Sequence, residues 1–136
     1  MTSVPNYLSA FNKHFNEFID DVVRVFPDDT AIRNTKNAIY MALKINPMLS
    51  IKTWNKFITE RYYEEIMKGD PEFVIEKDYT KDLMGSNNPY KVDALRNIEK
   101  IRGKVRVMDG ENKEKAMKYV QNLTKLSKLY FLTKQY

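Results

Sequence analysis

The chain has 136 residues, 43% of them hydrophobic and 12% aromatic, with four Gly, five Pro and no Cys. That length suits one domain able to hide about two-thirds of its unfolded surface, and the scarcity of Gly and Pro argues against a loop-rich or low-complexity chain. The lack of Cys excludes disulfides, thiolate nucleophiles and Cys-based zinc or iron–sulfur sites, and it suits a reducing cytosol or nucleus. The net charge of +5 is unevenly spread, with eleven Lys and Arg against thirteen Asp and Glu in residues 1–90 and twelve against five in residues 91–136.

Val4, Leu8, Phe11, Phe15, Phe18, Val22 and Val25 recur at alternating spacings of four and three, which predicts a first helix from Pro5 to Phe26 with one packed seam. Met1 to Val4 run straight into this polar-punctuated pattern, so neither a signal peptide nor a membrane span is expected. Pro27 ends the helix, and Asp28, Asp29 and Thr30 offer caps for a second. That second helix is expected to be short, holding Ile32, Ile39, Ala42 and Leu43 on one face before Asn46-Pro47. A third helix, opened by Pro47 or capped by Ser50, has Ile51, Trp54, Ile58, Tyr62 and Ile66 as its seam and stops at Gly69-Asp70-Pro71.

Residues 70–89 break the pattern and read as a long ordered connection, packed on itself or serving as a functional surface. Val92, Leu95, Ile98, Ile101 and Val105 then mark a fourth helix from Tyr90 to Met108, weakened by Gly103 and the β-branched Val105 and Val107. Asp109-Gly110 is a turn, and a last helix spans Glu111 to Thr133. The fold class is therefore all-α: about five helices in a compact bundle, forming one domain over 1–136 with a core of Phe11, Phe15, Phe18, Ile39, Trp54, Ile58, Leu95 and Leu123.

Chemical signatures are few. His14 is the single His, with Glu17 one helical turn on. The pairs Asp20-Asp21, Asp28-Asp29 and Glu64-Glu65 are adjacent in sequence, so their members diverge by about 100° on a helix, poor geometry for sharing a metal or proton. Capping accounts for Asp28-Asp29 and solvation for the others. Residues 109–120 fail as a calcium loop, having Glu114 where Gly is required and Val120 where Glu is required. No phosphate-binding glycine motif occurs. No enzyme activity, cofactor or metal is expected.

Two surfaces are candidates. Lys115, Lys118, Lys125 and Lys128 project along one broad stripe of the last helix, and Arg102, Lys104 and Arg106 add charge from the helix before it. Such a face fits phosphate contacts. Tyr63, off the third helix's seam and expected to be exposed, joins Phe73 and Tyr79 of the connection as candidate protein contacts.

The stretches FIDDVVRVFPDD at 18–29 and WNKFITERYYEEIMKGDPEFVIEKDYTKDL at 54–83 resemble small helical proteins of large nucleocytoplasmic DNA viruses. The resemblance covers about half the chain, transfers no catalytic motif, and implies a viral protein at work in an infected cell or virion. The leading expectation is a non-enzymatic protein-interaction or assembly module with a protein partner and no membrane, cytoplasmic, nuclear or virion-borne. The alternative is a nucleic-acid-binding protein using the basic C-terminal helices.

Overall fold

The computed structural model describes residues 6–69 and 89–133, with 89–95 as backbone only. Among them every regular element is helical. The first two are α1 (Tyr7–Val25) and α2 (Thr30–Ile45). Next comes α3, which runs as Leu49–Trp54, passes through a π-helical turn at Asn55–Thr59 and resumes as Glu60–Met67; α4 (Pro89–Arg106) and α5 (Gly110–Thr133) complete the chain. The five-helix, all-α expectation holds. The connection at 70–88, with Phe73 and Tyr79, lies outside the described residues, as do Val4, Pro5 and the side chains of Val92 and Leu95.

Local chemistry sets the boundaries. The Asn6 side chain accepts from the Ser9 amide at 2.9 Å to start α1, and Asp29 does the same for α2 through the Ile32 amide at 3.1 Å. Asp109 caps α5 by accepting from the Asn112 amide at 2.9 Å. The turn expected at Asp109-Gly110 is thus a helix start. Gly69, at φ +79°, closes α3 in the left-handed conformation that glycine adopts freely.

α2 is longer than its apolar spacing suggested, at 16 residues. The gap between Ile32 and Ile39 is filled by Thr35, which is buried because its hydroxyl donates to the Ala31 carbonyl at 3.0 Å. The start of α3 also differs from expectation. Met48 precedes it without a side-chain cap, and Ser50 is a buried residue within the helix.

The π-turn follows from the seam. Trp54, Ile58, Tyr62 and Ile66 recur every four residues, so over twelve residues a regular α-helix would carry Ile66 about 120° away from Trp54. A π-turn holds one extra residue, and the non-helical backbone of Tyr62 (φ −131°, ψ 19°) adds a kink just beyond it. Trp54, Ile58 and Ile66 are consequently all buried, and only Tyr62 is left half-exposed.

α5 packs along α1, α3 lies against both, and α4 closes over α2 and α3. The buried apolar side chains form one cluster. Phe11 and Phe15 each meet Trp54 edge-on at 6.1 Å, and Phe18 stacks on Tyr119 at 5.3 Å. Of the expected core, Phe11, Phe15, Phe18, Ile39, Trp54, Ile58 and Leu123 are all buried, each stabilising the fold by roughly 1.5–3 kcal/mol.

The α3–α5 seam is partly polar and fully paired. Trp54 Nε1 donates to Thr124 Oγ1 at 3.1 Å, and Thr124 donates to the Val120 carbonyl at 2.8 Å. Ser127 gives its proton to the Thr124 carbonyl at 2.9 Å, so Thr59 is the donor in the 2.6 Å Thr59–Ser127 bond. Small hydroxyl residues thereby bring the π-turn close to α5.

Candidate interaction surfaces

The fold disperses the expected basic face. Arg102 pairs with Glu99 at 2.8 Å, with both side chains largely buried. Lys104 pairs with Asp29 and lies over the Phe26 ring. That ammonium is the main reason the Asp29 carboxyl is held below the usual carboxylate range, with the Ile32 amide contributing next. Lys115 reaches Asp21 at 3.6 Å. Lys128 sits 3.7 Å from the centroid of the Tyr63 ring, a cation–π contact. Arg106, Lys118 and Lys125 are exposed and have no carboxylate or ring partner among the described residues.

Tyr63 is half-buried, not open as expected, because Lys128 covers its ring. Both border a shallow cavity of about 450 Å³ beside the π-turn, with Asn55, Glu60, Arg61 and Phe131. The side chains there are of mixed charge.

The carboxylate pairs separate as the 100° divergence predicts, but solvation does not describe Asp20 and Asp21. Asp20 accepts from Lys36 at 2.9 Å and from the Tyr40 hydroxyl at 2.8 Å. Burial first, and then the Asp20 carboxylate, push the Tyr40 phenol up to about 12. Asp21 takes Arg24 at 2.9 Å as well as Lys115. His14 packs its ring on Tyr119 at 4.8 Å, with Nδ1 3.6 Å from Glu17. Among the described residues no three His, Cys, Asp or Glu gather into a metal site.

The sequence reading missed a surface on α2. Met41 is 65% exposed and Ile45 85%, and Val107, just past α4, is 63%. The signal was present, since Met41 and Ile45 are one turn apart on the side of the helix away from the Ile32–Thr35–Ile39 seam. Two cavities lie between α2 and α4. One, of about 330 Å³, is lined by Ile32, Thr35, Gly103 and Val107 together with Glu99 and Lys104. The other, of about 370 Å³, is lined by Ala38, Ile39, Ala42, Leu49 and Ile98 together with Arg96. Lys100 borders both.

Comparison with known proteins finds no match to this chain among protein families, curated proteins or solved structures. Among the described residues no helix is long and apolar enough to cross a membrane.

Proposed function

We propose that the chain is a non-enzymatic protein-interaction or assembly module and, from the resemblance of its 18–29 and 54–83 stretches, one that serves a large DNA virus. The observation that carries the reading is the exposure of Met41 and Ile45, one turn apart on α2, together with Val107 exposed at the edge of a cavity between α2 and α4. Large apolar side chains left in water forgo about 25 cal/mol per Å² of burial, and neighbouring exposed pairs such as Met41 and Ile45 are what a protein contact surface presents. The basic-face alternative has weaker support, since four of its seven residues, Arg102, Lys104, Lys115 and Lys128, already hold intramolecular partners.

The absence of Cys permits a clean test. A photo-cross-linker attached at Met41→Cys, and separately at Lys118→Cys, is added to extracts of the producing cells. A discrete protein adduct is expected from position 41 and none from position 118. A nuclease-sensitive adduct from 118, with nothing from 41, would replace this reading with nucleic-acid binding.

A further inference from the structure

We infer that the cavity of about 370 Å³ between α2 and α4 is a binding site for a small apolar carboxylate that carries a hydroxyl at its far end. All four neighbouring helices line it, and its residues grade from floor to mouth. Phe15 of α1, Ile39 of α2, Ser50 of α3 and Ile98 of α4 are buried, whereas Arg96 and Lys100 of α4 are exposed. Ala38 and Ala42, one turn apart on α2, contribute only methyl groups to the wall. The volume falls within the range of small-molecule sites, which are mostly apolar with a few polar groups that fix orientation.

Two observations choose the occupant. The first is charge. Arg96 and Lys100 are the charged residues in this lining, and both are cationic. They stand one turn apart, so they are neighbours on one face of α4. The adjoining cavity has Glu99 beside Lys100 and Lys104 and offers no such preference. A carboxylate at the mouth meets two cations while staying partly hydrated, which avoids the cost of burying a charge.

The second observation is Ser50. It is 8% exposed, and its hydroxyl has no hydrogen-bond partner among the described residues. The other buried hydroxyl side chains, Thr35, Thr53, Thr59, Thr124 and Ser127, are all bonded. Ser50 is the exception, and it is the one that lines this cavity. A buried hydroxyl left unpaired costs free energy that a ligand oxygen recovers. An apolar body against Phe15, Ile39 and Ile98, an anionic head at Arg96 and Lys100, and a hydroxyl at Ser50 answer all three parts of the site.

The probe is para-hydroxyphenylacetate, titrated into the isotope-labelled full chain and followed by amide chemical shifts. Saturable shifts are expected around Ser50, Asn97 and Ala42, with phenylacetate about tenfold weaker because it leaves Ser50 unpaired. Tyramine, which has a cation in place of the carboxylate, should be weaker still. Ser50→Ala loses no hydrogen bond, so it should keep its fold and bind the two acids equally. Lys100→Glu should cut the affinity for the acid about tenfold and raise that for tyramine. Ala42→Leu should fill the cavity and abolish binding; if it fails to fold, Ser50→Ala and Lys100→Glu decide. Equal affinity of the native chain for the two acids, or tyramine binding as tightly as either, would overturn the inference. So would a preference for the hydroxyl that survives Ser50→Ala, shifts confined to another surface, or no saturable shift at all.

Discussion

Asp29 joins two tasks in one carboxylate, capping α2 and holding Lys104 of α4. Its pKa is lower in the folded state than in the unfolded chain. The stabilisation is therefore complete above the unfolded value near 4 and is lost as the pH falls through the folded value. Asn caps helices as well as Asp does but cannot be titrated. Asp29→Asn should accordingly lose less melting temperature than the native chain between pH 7 and pH 3, and equal losses would show that this carboxylate does not govern the acid limb. Thr124 allows a second residue-level test. Replacing it with Val removes the acceptor for the buried Trp54 indole N–H, which should cost about 1–3 kcal/mol in urea unfolding. Trp54 is the single Trp, so its fluorescence reports the transition directly.

At the level of elements, the irregular middle of α3 is the most informative part of the molecule. The run of four-residue spacings from Trp54 to Ile66 was visible in the sequence, but it was read as an ordinary seam. The π-turn at Asn55–Thr59 reconciles that spacing with a single buried face. Deleting the exposed Lys56 should remove the extra residue and regularise the helix, leaving Trp54 and Ile66 eleven residues and about 20° apart, so that Ile66, now fully buried, stays in the core. The expected loss is below about 1 kcal/mol, well short of the roughly 2–4 kcal/mol for truncating a core Ile, and chemical denaturation measures it. A loss of about 2–4 kcal/mol would show that the π-turn is not a one-residue insertion. On α2, by contrast, Ile45→Gln should leave stability within about 0.5 kcal/mol, because the side chain is 85% exposed. Unchanged stability together with lost cross-linking at position 41 would separate binding from folding.

For the whole molecule, tertiary pairing changes what net charge means. The basic C-terminal third suggested a phosphate surface, yet Lys104 and Lys115 reach across the bundle to carboxylates of the acidic N-terminal part. Two of the twelve cations in residues 91–136 are thus paired within the fold with acids of the N-terminal part. If only Arg106, Lys118 and Lys125 of the predicted set can neutralise phosphates, log affinity for random duplex DNA should fall against log salt with a slope of roughly −3 or shallower. A slope of about −6 would mean that the intramolecular pairs open to engage DNA, and would restore the basic face as the working surface.

By itself the sequence determined that the chain is helical, where α1, α4 and α5 run, and which aromatic side chains fill the core, because these follow from local spacing and capping. Phe11, Phe15, Phe18 and Trp54 were legible for that reason. Only the tertiary structure decided which cations pair across the bundle, that Lys128 covers Tyr63, and that Met41 and Ile45 stay exposed. A helical projection gives the angle of a side chain about its own axis and says nothing of what the next helix brings against it. Pairing across helices and concavity between them exist only once the helices are docked.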